Sequence, residues 1–224
     1  MKFRLLTYMF ILLFSSTLLA SNKIAIILKA KGPVTIEKAS NKKKVSAKKG
    51  MSLEDGDKIV TGKRAFAAVR FLDDKSLVRV RANSVCSIEG KKKDKKIEKS
   101  IFVEIGTFFC DIFKQKGSFK VITPTSVASI KGTKFWTIHS ANGGSRYVGI
   151  EGLVEIKNEK GKALMKKGET AIVESKDSPP LIRLTKKGDL PEDADDIQGE
   201  ILEVEFESKD GQQKSLRIEM EKNK

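Results

Sequence analysis

Apolar and polar residues nearly alternate through the middle of the chain, from Phe119 to Ser140. β-Branched and aromatic side chains are frequent there, and alternation with a period of two is typical of half-buried strands. Pro124 and Gly132 interrupt the pattern. Because proline lacks a backbone donor and an isolated glycine marks a bulge or a bend, this stretch is predicted to form short strands that turn at corners.

Short runs of the same kind recur along the rest of the chain, with turn residues between them. The clearest runs span residues 24–29, 34–37, 65–72, 77–81 and 101–105. Asp73-Asp74-Lys75 is typical of a hairpin turn between two of these runs. Since no helical period is sustained over a dozen residues after the N-terminal segment, the sequence predicts an all-β protein.

Two distant segments share a pattern that indicates a repeated supersecondary unit. Gly32-Pro-Val-Thr-Ile-Glu precedes Lys48-Lys49-Gly50, and Gly152-Leu-Val-Glu-Ile-Lys precedes Lys166-Lys167-Gly168. In each segment the two β-branched residues share one face of a strand. Such units at both ends of a domain predict a roll or a solenoid-like stack of short strands. Chance similarity between two ordinary hairpins is the alternative.

Residues 1–21 have the pattern of a signal peptide. Lys2 and Arg4 precede an apolar run from Leu5 to Leu19, and small residues follow it. We expect cleavage after Ala20 or Ser21, no membrane span in the mature protein, and export to the periplasm or the cell surface. An uncleaved membrane anchor is the alternative.

The composition changes after residue 176. Residues 22–176 are predicted to form the β domain, residues 177–199 an acidic linker, and residues 200–224 a C-terminal β-hairpin appendage with its turn at Lys209-Asp210-Gly211. A two-stranded hairpin alone is marginal in water, so it should pack on the main domain or on a partner.

The order of several motifs resembles the FecR domain, a module of bacterial cell envelopes. The motifs that carry the resemblance are, in chain order, Gly56-Asp57, Thr123-Pro124, Gly132-Thr133-Lys134-Phe135 and Glu151-Gly152. The resemblance covers roughly residues 30–175 and implies the same all-β roll. It assigns structural roles to Thr123, Pro124, Gly132, Thr133 and Gly152.

The family also implies a regulatory context. Many of its members cross the inner membrane, with a cytoplasmic segment that handles a sigma factor and a periplasmic part that senses a transducer. Here the apolar segment begins at residue 5, which leaves no room ahead of it for a cytoplasmic domain. The expectation is therefore the extracytoplasmic module by itself.

The chain is strongly basic, with 44 Lys and Arg against 29 Asp and Glu and a formal net charge of +15. For an exported protein this charge favours an envelope protein or an anionic glycan as partner, and no nucleic acid. The candidate binding residues are Lys42 to Lys44, and Lys91, Lys92, Lys93, Lys95 and Lys96. The alternative is that these lysines only solvate exposed loops.

Residues suited to catalysis are scarce. His139 is the only histidine, and we expect it to be a turn or surface residue. No glycine-rich phosphate loop and no nucleophile elbow is present, so no enzyme, metal or cofactor is predicted. Phe135, Trp136 and Tyr147 are candidates for a surface that stacks on sugar rings, with burial in the core as the alternative.

The two cysteines, Cys86 and Cys110, lie in strand-like segments. In an oxidising compartment they are a possible disulfide that would contribute about 3 kcal/mol. Both also suit the core as small apolar side chains, so free buried thiols are the alternative.

Together these patterns favour an exported, non-enzymatic binding or scaffold protein of the bacterial cell envelope that recognises a protein or an anionic glycan. An accessory sensor in extracytoplasmic signalling, acting through a separate membrane partner, is the alternative. A glycan-active enzyme is a third class, because paired carboxylates are not recognisable in one sequence.

Overall fold

The computed structural model describes residues 23–93, 96–113 and 117–191, and the backbone of two strands at 202–207 and 213–218. Side chains of residues 92–97 and of both C-terminal strands are not described. Apart from one turn of 3₁₀ helix at Lys187–Asp189, the regular elements of the described residues are strands, which confirms the all-β prediction. No helix among these residues is long and apolar enough to cross a membrane.

The strands are, in chain order, β1 (Lys23–Lys31), β2 (Val34–Glu37), β3 (Lys44–Ser46), β4 (Ser52–Glu54), β5 (Lys58–Thr61), β6 (Phe66–Phe71), β7 (Leu77–Val80), β8 (Val85–Lys93), β9 (Lys96–Ile112), β10 (Ser118–Ile122), β11 (Val127–Ile130), β12 (Thr133–His139), β13 (Ser145–Glu151), β14 (Leu153–Asn158), β15 (Gly161–Lys166), β16 (Glu169–Val173), β17 (Leu181–Leu184), β18 (Leu202–Glu207) and β19 (Gln213–Ile218).

Strands β1 to β17 form two sheets that share β9. Sheet A has the order β4-β1-β6-β7-β9-β12-β13-β16-β17. Sheet B has the order β3-β2-β5-β8-β9-β10-β11-β14-β15. Neighbouring strands are antiparallel except β9 and β10, which are parallel. The chain alternates between the sheets, which builds the predicted roll of short strands.

The central strand β9 passes from one sheet to the other at Gly106. Its residues up to Ile105 pair with β8 and β10, and those from Gly106 onward pair with β7 and β12. Gly106 has φ 117°, and a Cβ atom there would lie 2.1 Å from the Ser84 hydroxyl oxygen. A side chain would both strain the backbone and clash, so only glycine fits this crossing.

The pattern shared by two distant segments corresponds to one supersecondary unit built twice. In each copy a strand of sheet A ends at a glycine, a hairpin follows in sheet B, and a second glycine returns the chain to pair with the first strand. The copies are β1 to β4 and β13 to β16. Their corner glycines, Gly32, Gly50, Gly152 and Gly168, all have φ between 70° and 84°. Chance similarity therefore does not account for the pattern.

The main core lies between the sheets and takes its side chains from both of them. The aliphatic residues Ile27 of sheet A and Ile36 of sheet B are fully buried in it, and the rings of Phe71 and Phe119 meet edge to face at 5.3 Å. A smaller apolar cluster lies on the outer face of sheet A, because residues that alternate with core residues point away from the core.

The sheet extends past the predicted domain boundary at residue 176. Pro179 and Pro180 interrupt the chain, but β17 then pairs with β16 along the edge of sheet A. Farther on, β18 and β19 pair with each other, with Leu202 opposite Ile218. The predicted signal peptide, residues 192–200 of the linker and the hairpin turn lie outside the described residues.

Candidate functional site

Three turns that are far apart in sequence lie together at one end of the sandwich. They are the β2–β3 turn, the β4–β5 turn and the β8–β9 hairpin. The backbone N–H of Gly56 donates to the carbonyl of Ile88 at 2.8 Å, and the N–H of Gly90 donates to an Asp55 carboxylate oxygen at 3.0 Å. These bonds join the β4–β5 turn to the base of the β8–β9 hairpin.

Asp57 joins the β4–β5 turn to the β2–β3 turn. Its side chain is almost completely buried and accepts from the N–H of Ala39 at 3.0 Å and from the N–H of Glu54 at 2.9 Å. Lys38 forms an ion pair with the same carboxylate at 2.5 Å. Gly56-Asp57 is therefore a structural turn motif, and the carboxylate that it supplies fixes the position of two turns.

Both predicted basic segments belong to this end, which we call the basic end: residues 38–44 and the β8–β9 hairpin from Lys91 to Lys96, whose base is bonded to the β4–β5 turn. Lys42, Lys43, Lys44 and Lys91 are exposed. Lys44 lies 3.9 Å from Glu37 at the limit of an ion pair, while Lys38 is bound to Asp57. The structure thus places Lys42 to Lys44 and the base of the hairpin that carries Lys91 at the same end of the domain, although they are about 50 residues apart in sequence.

The tip of the β8–β9 hairpin carries the other candidate lysines. The backbone register places Lys92 opposite Ile97 and Lys93 opposite Lys96, while Lys95 lies outside the described residues. Lys91 is opposite Glu98.

The predicted aromatic stacking surface is wrong. Phe135 and Tyr147 are fully buried between the sheets, and Trp136 is 2% exposed on the outer face of sheet A. Adjacent residues of a strand point to opposite faces, so Phe135 and Trp136 do not contribute to one surface. The three rings belong to two separate apolar clusters, in line with the alternative of burial.

The Thr-Pro motif provides a buried hydroxyl group between the sheets. The Thr123 hydroxyl accepts from the Ser145 hydroxyl at 2.9 Å and from the backbone N–H of Ser126 at 3.2 Å. It also lies 3.3 Å from the Tyr147 hydroxyl, which in turn is 3.0 Å from the Ser126 hydroxyl. Because Thr123 follows β10 of sheet B while Ser145 and Tyr147 belong to β13 of sheet A, this hydroxyl network joins the two sheets.

His139 is part of the same network, so its prediction as a turn or surface residue is wrong. It is 5% exposed at the end of β12, and its Nδ1 lies 2.9 Å from the Ser145 hydroxyl. Burial lowers the pKa of the imidazole, while a hydrogen bond to the Gly144 backbone opposes this shift. The alternation of β12 already places His139 on the same face as Phe135, which is a core position.

The corner motif Gly132-Thr133 packs against Gly152. Gly132 has φ 88°, as expected at the corner after Ile130. A Cβ atom on Gly152 would lie 2.7 Å from the Thr133 methyl carbon and 2.9 Å from the Gly132 carbonyl oxygen. These residues form a tight backbone crossing.

The two cysteines are free thiols in the main core. Cys86 lies in β8 and Cys110 in β9, and both are buried. Removal from water raises the pKa of both thiols far above the usual range. Such thiols are unreactive as nucleophiles. Among the residues that the structure describes, no group of three or more His, Cys, Asp or Glu side chains is placed to hold a metal ion.

A buried ion cluster is a feature that the sequence interpretation missed. Lys99 of β9 is 1% exposed and forms ion pairs with Asp73, at 2.7 Å, and with Asp74 in the β6–β7 turn. Its ammonium group also lies 5.6 Å from the centre of the Phe71 ring. The signal was present in the alternation of β9, where Lys99 occupies an inward position in line with Ile101 and Val103.

The fold and these buried contacts define the class of protein as an all-β sandwich domain. Two crystal structures of a proposed anti-sigma factor from Parabacteroides distasonis have a similar fold, each with a TM-score of 0.50. They are 16% and 17% identical to this chain, and each alignment covers 58% of this chain and 60% of that protein. No curated protein matches the chain significantly.

Residues 57–155 match the family described as FecR protein. This match confirms the resemblance seen in the motifs. The match begins at Asp57 and contains the tip of the basic end, the whole of β9, and both the Thr-Pro and the Gly-Thr motifs.

Proposed function

We propose that this protein is an exported, non-enzymatic binding protein of the bacterial cell envelope that takes part in extracytoplasmic signalling. Its partner is an acidic protein or an anionic glycan, and the basic end is the surface that recognises it. The FecR match supports the signalling context, because FecR domains typically act outside the cytoplasm. The similar structure carries the description of a proposed anti-sigma factor, which favours a regulatory protein over a purely structural scaffold.

The observation that carries the proposal is that Lys42 to Lys44 and Lys91 are exposed at the same end of the domain. The bonds of Asp57 to Ala39 and Glu54, and that of Gly90 to Asp55, fix the turns on which these lysines lie. The exposed ammonium groups are therefore presented on a rigid base. Clustered exposed charge of one sign attracts an oppositely charged partner and accelerates its association.

The β14–β15 hairpin offers a matched control, since it carries an equal number of lysines. Its five exposed lysines are Lys157, Lys160, Lys162, Lys166 and Lys167. This hairpin lies at the far edge of sheet B from the β2–β3 turn, with six strands between β15 and β2 among the described residues. A partner that responds only to net charge will respond equally to the loss of either set.

The test compares the mature protein with two variants in which five lysines are replaced by Gln. One variant changes Lys91, Lys92, Lys93, Lys95 and Lys96, and the other changes the five lysines of the β14–β15 hairpin. Envelope extract is captured on each protein at increasing salt. We expect the first variant to lose its partner and the second to retain it, and binding of the unchanged protein to fall as salt screens exposed charges.

Two purified probes separate the classes of partner. Heparin represents a sulfated anionic glycan, and an acidic peptide represents a protein. Equal binding by both variants, or capture that does not change with salt, would remove the basic end from the mechanism. Because exposed loop charges contribute little to folding, the melting temperatures of both variants should stay close to that of the unchanged protein.

A further inference from the structure

After β17 the chain turns back over the outer face of sheet A. We call residues 185–190 the strap. The N–H of Thr185 donates to the Gly168 carbonyl at 2.9 Å, and Arg146 of β13 donates to the Gly188 carbonyl at 3.2 Å. Residues 186–188 are exposed between these contacts, whereas Asp189 is 4% exposed. The Thr185 hydroxyl also lies 2.9 Å from the Thr170 hydroxyl, so the strap is attached at both ends and exposed in its middle.

Asp189 occupies a complete carboxylate site. Arg183 donates two N–H groups to its two oxygens, both at 2.6 Å, in the bidentate geometry that is strongest for this pair. The Thr170 hydroxyl donates at 3.1 Å and the N–H of Lys186 at 2.8 Å, and Arg146 lies 3.7 Å away. The Arg183 hydrogen bonds hold the pKa of Asp189 well below its usual range, so the carboxylate is charged at neutral pH.

Leu190 fills an apolar site beside this carboxylate. It packs against a cluster on the outer face of sheet A, in which the Phe109 and Trp136 rings lie 5.0 Å apart. Val148 completes the cluster and Ile150 packs at its side. This cluster is separate from the main core between the sheets. Release of the strap would therefore expose the outer cluster and leave the main core closed.

The cluster and the strap belong to different parts of the chain. Phe109, Trp136 and Val148 lie within the stretch that matches the FecR family, whereas the strap begins 30 residues after that stretch ends at residue 155. The outer cluster thus lies within the stretch that matches the FecR family, and the segment that covers it lies outside that stretch.

We propose that the strap is a releasable internal ligand: Asp189 and Leu190 occupy a docking site on sheet A that takes an acidic–aliphatic segment of a partner protein once the strap is released. Arg146 and Arg183 give the site its preference for a carboxylate. The outer cluster around Trp136 gives it its preference for an aliphatic side chain. This inference goes beyond the proposed function and does not require the basic end.

Trp136 is the only tryptophan of the chain, so its fluorescence reports on this site alone. We would measure acrylamide quenching of Trp136 in the unchanged protein, in a strap-release variant carrying Asp189→Ala and Leu190→Ala, and in Lys187→Gln as a matched control on the exposed part of the strap. The release variant should show several-fold stronger quenching with an unchanged β-sheet signal in circular dichroism. The control should behave as the unchanged protein.

The second step supplies the site with a ligand in trans. A peptide with the sequence of residues 185–191 should restore the protection of Trp136 in the release variant, and the same peptide with Asn for Asp should bind about tenfold more weakly, because it loses the charge-assisted pair. Unchanged quenching in the release variant, or failure of the peptide to protect Trp136, would overturn the proposal.

Hydrogen exchange on the unchanged protein tests release without any substitution. The amides of Thr185 and Asp189 should exchange much faster than those of β12, because the strap opens without global unfolding. If these amides exchange as slowly as the amides of β12, the strap is a fixed part of the fold and the proposal fails. This test does not depend on whether the release variant folds.

Discussion

Two buried polar clusters join sheet A to sheet B, and they do so with different chemistry. Near the start of β10, the Lys99 ammonium group binds Asp73 and Asp74. Just after the end of β10, neutral hydroxyl groups of Thr123 and its neighbours make the connection. Each cluster links a strand or turn of one sheet to the other sheet, so both resist sliding of the sheets.

The two clusters differ in which polar groups are left unpaired after a substitution removes one partner. A buried ion pair that loses its cation leaves carboxylates without compensation, which is costly. In a hydroxyl network, each group can donate or accept, so the remaining groups can re-pair with one another. The ionic cluster should therefore be the more sensitive of the two to a single substitution.

The largest effect is expected for Lys99→Met, which keeps an unbranched side chain, one heavy atom shorter, and removes its charge. Asp73 and Asp74 then lose their shared cation, and the free energy of unfolding should fall by about 3 kcal/mol, at the lower end of the range for buried pairs. The lower end applies because the Asp73 side chain is 28% exposed. Urea unfolding measures the change, with the exposed Lys120→Met in neighbouring β10 as control.

A triple variant sharpens the ionic side of the comparison. Lys99→Met combined with Asp73→Asn and Asp74→Asn removes all three charges, so it should recover much of the lost stability. A triple variant that is no more stable than Lys99→Met would mean that the cost comes from packing rather than from unpaired carboxylates.

For the hydroxyl network, Thr123→Val should lower the free energy of unfolding by about 2 kcal/mol, because the Ser145 hydroxyl and the Ser126 N–H lose a buried acceptor. Thermal unfolding with circular dichroism detection checks this value. An effect as large as that of Lys99→Met would show that the network does not re-pair.

Tyr147→Phe should have a smaller effect, about 1 kcal/mol, because Thr123 and Ser126 keep hydrogen bonds to each other after the phenol oxygen is removed. The ring and its packing are preserved. The same thermal measurement applies, and a loss larger than that of Thr123→Val would contradict the order proposed here.

The smallest expected effect is a change of stability with pH. It arises from His139, which belongs to the hydroxyl network and not to the ionic cluster. Burial lowers the pKa of His139 in the folded protein below its value of about 6.5 in the unfolded chain. The folded state therefore binds fewer protons, so its stability is complete above about pH 6.5 and falls as pH decreases below that value. Urea midpoints measured across this range should show the slope, and His139→Gln should reduce it.

The sequence predicted the strands and corners because alternation and turn residues are local signals. The shared pattern around Gly32 and Gly152 predicted a repeated unit. The interruption of a strand at Gly132 predicted a corner. The partners across the sheets could not be predicted: Lys99 stands at an inward position, yet only the fold places Asp73 and Asp74 beside it. Trp136 shows the limit within one strand, since alternation separates it from Phe135 but does not identify Leu190 as its cover.

For the predicted binding residues, too, local signals were visible in the sequence, whereas the contacts that position them depend on the fold. Lys91 and its neighbours form a visible charge run, but the bonds that place the base of their hairpin at the same end as the β2–β3 turn, made by Asp55 and Asp57, could not be predicted from the sequence. Asp189 was part of a predicted acidic linker, and nothing in that composition distinguishes it from the carboxylates that follow it.

Strand β9 gives the molecule a mechanical continuity. Its 17 residues run from the lysine-rich tip of the β8–β9 hairpin to the outer cluster, where Phe109 contacts Trp136. At about 3.3 Å per residue, the path from Lys96 to Phe109 is about 40 Å of a single backbone, bent once at Gly106. A load applied at the tip is therefore carried by covalent bonds and by paired strands on both sides, and Gly106 is the point at which that load changes direction.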